Sequence, residues 1–488
     1  MKRIRDGYSN LGKLMILIGV LIIVPIGVLP FYPEDAVYWW CFMIPGIFSI
    51  GAGALLCLFT GKTQEESLYY AEHKGNVLVL FVWLYSFLIG AVPFMAGCGL
   101  TFSQACFESV SGWTTTGLSV VDVTVTPHIF LFYRSFMQFC GGLGFVMIMT
   151  VFIRGKFSMQ LYQAEGHSDK IMPALQETVR VICAVYVTWL FVGIAAYVLC
   201  GMPVFDSILH TMGALSTGGF SNRADSIGAY GSFSIEMVTI LLMLVGTTNF
   251  LVLVLMAQRK WNQVAKNSEL HFLILLLLVF TPVCGTILAA GLSISLGEGM
   301  RQALFNIVSA LSTTGYSTMP YTGWPQAAIG IMILMQLIGG GIGSTAGGIK
   351  LARIIIMLKA VFQDTKKRIC GNRECNKAYY YRAQGKMIIG QELLENTTSF
   401  IIIYVILFVI GTLAITICAD TTLIEAMFEF SSSLGTVGLS IGLTGTQTQA
   451  SILWIEIAGM ILGRLEIFLV IAGGYSAIVL IKRKMRGW

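Results

Sequence analysis

Apolar runs of about twenty residues, separated by short polar breaks, fill nearly the whole chain. They cover roughly 12–32, 36–59, 75–97, 127–153, 175–200, 235–257, 268–291, 326–358, 399–418 and 451–481. Each is long enough to cross a hydrocarbon layer of about 30 Å as a helix, so the pattern predicts ten membrane spans. Within the last eight, a half-apolar stretch of about three helical turns and a polar turn stand between the two members of each pair. The elements therefore recur in the order span, half-span, turn, span.

The four turns read Thr114-Thr115-Thr116-Gly117-Leu118-Ser119, Ser216-Thr217-Gly218-Gly219-Phe220-Ser221, Ser312-Thr313-Thr314-Gly315-Tyr316-Ser317 and Gly435-Thr436-Val437-Gly438-Leu439-Ser440. They align without a gap. The approach repeats too: an apolar residue (Phe107, Leu209, Phe305, Phe428) lies ten positions before each glycine, and a small one (Ala105, Ser207, Ala303, Ala426) two before that. A recurrence at about a hundred residues is the signature of a repeat architecture. It divides the chain into an N-terminal two-helix hairpin, 1–70, and four repeats at 71–158, 159–260, 261–386 and 387–488. The expected fold is an all-α polytopic membrane protein.

Each repeat crosses the membrane an even number of times, so all four share one orientation and can surround one axis. Inverted repeats, found in many carriers, need an odd number of crossings. Composition agrees with membrane residence: 56% of residues are hydrophobic and 11% charged, against about 25% charged in soluble domains. Lys and Arg gather on the cytoplasmic side of spans. With both termini inside, all but Arg134, Arg223, Arg301 and Arg464 fall there. The net charge of +6 then reads as an orientation signal, and the lack of a soluble basic domain excludes nucleic acid as a partner. Arg134, at the start of its span, reads as an anchor at the outer face. Five dispersed histidines give no cluster for an enzyme. Most of the eleven cysteines sit in apolar spans as small hydrophobes, and Cys370 and Cys375 read as two reduced thiols. The stretch from about Lys359 to Lys386 is either a solvated inner loop or a docking surface for an acidic cytoplasmic partner.

Non-helical backbone at membrane depth is tolerated where it is buried in protein or lines a water-filled cavity. Four turns in register imply one shared cavity. Each half-span directs its C-terminal, partially negative end at the turn, which favours a cation. Thr-x-Gly turns let carbonyls replace an ion's water shell, and glycine takes positive φ at little cost. None of the turns bears a charged side chain, so a dehydrated monovalent cation is the natural ligand. The candidate filter is Thr115, Thr116, Gly117, Thr217, Gly218, Gly219, Thr313, Thr314, Gly315, Thr436, Val437 and Gly438.

Two features lie on the inner half of this pore. The run Gly339, Gly340, Gly341, Ile342, Gly343, Ser344, Thr345, Ala346, Gly347, Gly348 cannot sustain a helix when each Gly costs about 1 kcal/mol, and it predicts an unwound, mobile gate. Arg464 sits mid-way through the last span, where an arginine faces a cavity or a partner. It is either an electrostatic barrier below the filter or one half of an ion pair with Glu456 or Glu466. As a barrier only its charge matters, so lysine would serve nearly as well.

On these residues the chain resembles the Trk/Ktr/HKT superfamily of potassium transporters, and most of all its TrkH branch. Gly117, Gly219, Gly315 and Gly438 match the family's filter, the Gly339-to-Gly348 run its gating loop and Arg464 the arginine of its last span. The N-terminal hairpin is similar to TrkH and absent from the shorter KtrB branch. The resemblance implies K+ as the transported ion, held at the filter residues, with no covalently bound cofactor. It also implies a homodimer with one pore per protomer, a cytoplasmic nucleotide-binding ring of the TrkA type as partner, and the bacterial inner membrane as location. Plant relatives with Ser for the first filter glycine favour Na+, whereas this chain keeps Gly117. Three consecutive threonines in the first turn and Gly218-Gly219 in the second depart from the family's pattern. A Na+- or H+-coupled symporter is the alternative, although Glu108, Glu429 and Glu456 form no evident relay in sequence.

Overall fold

The computed structural model describes residues 4–59, 68–144, 175–370, 378–465 and 467–485. Its elements are helical apart from one antiparallel hairpin, Tyr379–Arg382 against Gly385–Ile388. Helices Ile4–Ile23 and Trp39–Phe59 form the N-terminal pair. They approach closely where Gly12 faces Gly53 and Gly19 faces Gly46, the small-residue contact by which helices associate in lipid.

Four long apolar helices, Leu68–Gly97, Leu175–Leu199, Ser268–Gly291 and Gln391–Cys418, open the four units. Each is followed by a half-helix: Phe102–Trp113, Val204–Leu215, Leu296–Leu311 and Leu423–Leu434. Three half-helices start at side-chain caps. Thr101 and Gln104, and Thr422 and Glu425, form reciprocal capping boxes, and Ser295 accepts from Glu298 N. Such boxes satisfy backbone donors left over at a helix start, so a helix can begin abruptly after the span.

The second spans of the second and fourth units differ from the expectation of continuous helices, whereas that of the third is interrupted at the glycine-rich run, as its glycines predict. In the second unit the helix stops at Thr247, restarts at Phe250 and turns by 109° between the two segments. In the third, Gln326–Leu337 and Leu351–Cys370 flank the glycine-rich run. The first unit's helix, His128–Leu143, ends at Gly144 with φ 74°, and residues 145–153 of that expected span lie outside the described residues. In the fourth, Ala450–Arg464 and Ile467–Met485 are separate segments. Six of the described helices, or seven if the bent pair is one span, are long and apolar enough to cross a membrane. The physical reason is tertiary: backbone groups freed at the breaks are taken up by neighbouring segments, as Gly341 N donates to Thr247 O and Phe250 N to Gly343 O.

The apolar core lies at the joints between units. One cluster joins the first unit and the hairpin to the fourth (Trp83, Phe107, Tyr133 with Leu453, Met460). A second joins the third and fourth (Met332, Met335 with Phe428, Leu434). A third runs from Leu143 through the second unit to Phe305 and Tyr316. Outward positions such as Phe191, Leu278 and Ile410 are exposed and apolar, as lipid-facing residues are.

Candidate functional site

Each half-helix ends the same way. The amide two residues before the turn glycine donates to a carbonyl three residues back (Thr115 to Gly112, Thr217 to Ala214, Thr313 to Ala310, Thr436 to Ser433; 3.0–3.2 Å). The next amide reaches five back (Thr116 to Ser111, Gly218 to Gly213, Thr314 to Ser309, Val437 to Ser432; 2.8–2.9 Å). The threonines Thr115, Thr217, Thr313 and Thr436 take φ of 51–56°. That region costs an L-residue about 1–2 kcal/mol and is rare for a β-branched one. The glycines that follow, Gly117, Gly219, Gly315 and Gly438, lie at φ 72–97°.

The four turns meet in a closed ring. A Cβ built on Gly117 would overlap the carbonyl oxygen of Gly218, and one on Gly219 that of Thr314. Likewise Gly315 abuts the oxygen of Val437, and Gly438 that of Thr116. Each unit's glycine thus admits the carbonyl of the next, and the fourth unit returns to the first.

The glycine-rich run lies against this ring on the side of the half-helix ends. Thr217 Oγ1 donates to Thr345 Oγ1 at 3.1 Å, and Gly347 N donates to Thr313 Oγ1 at 2.9 Å. A Cβ on Gly347 would overlap Thr436 Oγ1. Three of the four left-handed threonines therefore touch one short segment. The run is unwound, as its glycines require, and it is also densely bonded. Thr345 Oγ1 donates to Gly246 O at 2.9 Å and Leu215 O at 3.1 Å, and Ile342 N to Glu269 Oε1 at 3.1 Å. Gly339 N bonds Ile349 O, and Ser344 Oγ bonds Gly341 O.

Arg464 bridges the run to the first unit. Its Nη1 donates to Thr345 O at 2.6 Å and its Nη2 to Gly141 O at 2.5 Å. No ion pair joins it to Glu456, whose Oε1 accepts from Thr444 Oγ1 at 2.8 Å; Glu466 lies outside the described residues. Arg464, Lys350, Gly142, Gly347 and Gly463 line a cavity of about 50 Å³.

Comparison with known proteins places this arrangement. The family model described as "TrkH: Cation transport protein" matches residues 41–473. The chain belongs to the TrkH family. It is 29% identical to the Trk system potassium uptake protein TrkG of Escherichia coli (strain K12), over 94% of this chain and 95% of that protein. Identity to the Trk system potassium uptake protein TrkH of Halomonas elongata is 27%, over 94% and 96%. The crystal structure of the potassium transporter TrkH from Vibrio parahaemolyticus superposes with a TM-score of 0.82 at 25% identity, covering 96% of this chain and 98% of that one. These TrkH-family relatives are transporters, not enzymes.

The structure adds residues to this TrkH-family site that the alignment of the turns passed over. Nine positions before each turn glycine stands a buried polar side chain, and each reaches the segment that leaves its turn. Glu108 accepts from Ser119 Oγ at 3.2 Å and Val120 N at 3.1 Å, and His210 Nε2 bonds Ser221 Oγ at 3.0 Å. Asn306 Nδ2 donates to Thr318 Oγ1 at 3.0 Å, and Glu429 accepts from Ser440 Oγ at 2.6 Å and Ile441 N at 3.1 Å. The signal was periodic burial of a polar residue, one position after the aligned Phe or Leu; its changing chemistry hid it.

Arg134 is not an outer anchor. It lies two turns into its helix on the face turned to the half-helix, 2% exposed, with Nε 2.5 Å from Glu108 Oε1. Its Nη2 donates to Ser119 Oγ at 2.7 Å, and its guanidinium stacks 4.1 Å over Phe220. Removing one partner of such a pair leaves a buried charge. Glu108→Ala should cost about 3–5 kcal/mol, read as a lower unfolding temperature in detergent. The double variant Glu108→Leu/Arg134→Met should regain most of that loss, and a double-variant loss equal to the sum of the two single losses would show that the pair is not coupled.

Proposed function

We propose that this chain carries K+ across a bacterial inner membrane through a pore on the axis of the four turns. The observation that carries the reading is the closed ring, in which each filter glycine admits the backbone carbonyl of the next unit. Rings of carbonyls replace an ion's hydration shell, and four half-helix C-termini add negative potential at the same point. The relatives named as potassium uptake proteins support K+ as the ion. Thr115, Thr116, Gly117 and their counterparts in the other three turns then form the selectivity filter, with K+ as the bound ion. On this reading the N-terminal hairpin is 1–70, the four repeats are 71–158, 159–260, 261–386 and 387–488, and both termini face the cytoplasm.

Gating falls to the segment Gly339–Gly348, docked on the filter threonines and held by Arg464. A cytoplasmic nucleotide-binding ring of the TrkA type would act on it from below, in a homodimer with one pore per protomer. The test is flux of K+ and Na+ into liposomes containing this protein alone, with and without a proton gradient. Selective K+ flux independent of the gradient supports a channel-like pore, and equal K+ and Na+ flux rejects the filter. A second reading, H+-coupled symport, has one observation in its favour: buried Glu429 and Glu456 both accept hydrogen bonds from Thr444, at 3.0 and 2.8 Å. Accumulation driven by the proton gradient would select it.

A further inference from the structure

The second turn is the one whose residue before the filter glycine has no side chain: Gly218, where the others carry Thr116, Thr314 and Val437. The missing volume is filled from the first unit. Gln138, fully buried in helix His128–Leu143, donates from Nε2 to Gly218 O at 2.6 Å and accepts from Phe220 N at 3.0 Å on Oε1. Its carboxamide spans Gly219 and holds the turn at two backbone points. A Cβ on Gly218 would lie 2.5 Å from Gln138 Cδ, so side chain and carboxamide exclude one another.

The same register position recurs in every unit. Gly141, Gly246 and Gly463 each abut the carbonyl that ends their own half-helix, on Trp113, Leu215 and Leu434. Three residues before them stand Gln138, Met243 and Met460, and in the third unit Gln336 precedes Gly339. Going round the ring, this position alternates Gln, Met, Gln, Met. Gln336 bonds Ser431 Oγ in the fourth half-helix, which leaves room for Val437. Of these four side chains, Gln138 is the one that reaches a carbonyl of the turns.

We propose that Gln138 is a specificity-determining positioning residue: it fixes the Gly218 carbonyl at the radius a K+ ion needs, in place of the side chain that packs the other three turns. The proposal rests on the filter reading above. A carbonyl fixed through a hydrogen bond from a buried amide cannot close around a smaller ion. Released, it can, and Na+ gains more than K+.

The test uses the full chain in liposomes and reads the K+/Na+ flux ratio beside total flux and thermal stability. Gln138→Met has nearly the same volume and is the residue found at this position in the second and fourth units. It should lower the ratio about tenfold, the scale of one buried hydrogen bond left unmade. Gly218→Thr alone should be impaired by collision with Gln138. The double variant Gln138→Met/Gly218→Thr gives this joint the residue types that hold the corresponding positions of the next, Met243 and Thr314, and should recover the ratio. Gly117→Ser serves as control for the filter itself. If Gly117→Ser changes the ratio while Gln138→Met keeps it, this inference fails and the filter stands. If neither changes it, the filter reading fails. Equal loss of K+ and Na+ flux in Gln138→Met with an unchanged ratio marks a purely structural role and overturns the proposal.

Discussion

Serine at Gly315 or Gly117 is expected to lower K+/Na+ discrimination at least tenfold while leaving a conducting pore. The added Cβ meets two obstacles. The backbone there sits at φ 85° and 97°, where an L-residue is strained by about 1–2 kcal/mol. The Cβ also overlaps the carbonyl oxygen of Val437 or Gly218. The neighbouring turn must yield, and the ring loses the fixed radius on which ion choice depends. Since about 1.4 kcal/mol is a factor of ten, one displaced carbonyl is enough. Ion flux in liposomes decides: both variants keeping the parent ratio would remove these turns from ion selection.

Release of the Gly339–Gly348 segment should have the other large effect, and Arg464→Ala is the smallest change that achieves it. Arg464 holds Thr345 O and Gly141 O through separate nitrogens. Hydrogen bonds from a charged donor contribute about 1.5–3 kcal/mol each, so losing both should raise partner-independent K+ flux by roughly a hundredfold or more. Loss of a positive charge near the ion path works in the same direction. The geometry changes the expectation for lysine. An ammonium is a point charge without the planar fork and cannot span both carbonyls, so Arg464→Lys should leak more than the parent chain, though less than Ala. Deleting Gly343–Gly347 should give the same leak without touching the arginine. Flux and regulation at parent levels in that deletion would place the gate elsewhere.

Much of this site was legible because it is written four times. Thr-x-Gly with an apolar residue ten positions before it fixes the half-helix, the turn and their common orientation. The third-unit loop announced itself through its glycines. The other breaks did not, because hydropathy reports that a segment is apolar and not that its helix continues. Asn249 caps the restarted helix, its Oδ1 accepting from Leu251 N, a signal that an apolar window averages away, and the glycine-rich segment of another unit supplies further hydrogen-bond partners at the break. The buried brace nine positions before each glycine escaped for another reason: Glu108, His210, Asn306 and Glu429 do one job with three chemistries. Arg134 was misread because distance from the end of a span says nothing about the face on which a side chain lies.

The ring has a seam. Gly438 admits the carbonyl of Thr116, Arg464 reaches Gly141, and Gln104 donates to Thr446 O at 3.1 Å across 342 residues of chain. These contacts between the fourth unit and the first join residues far apart in sequence, and contacts of high separation form late. During synthesis the first three units enter the bilayer with one quadrant of the ring missing, and they have neither a filter nor the Arg464 latch. Carbonyl ring and latch then arrive together on the last unit. On the proposed reading, ion selection and its control are therefore acquired in one step, when the fourth unit docks against the first.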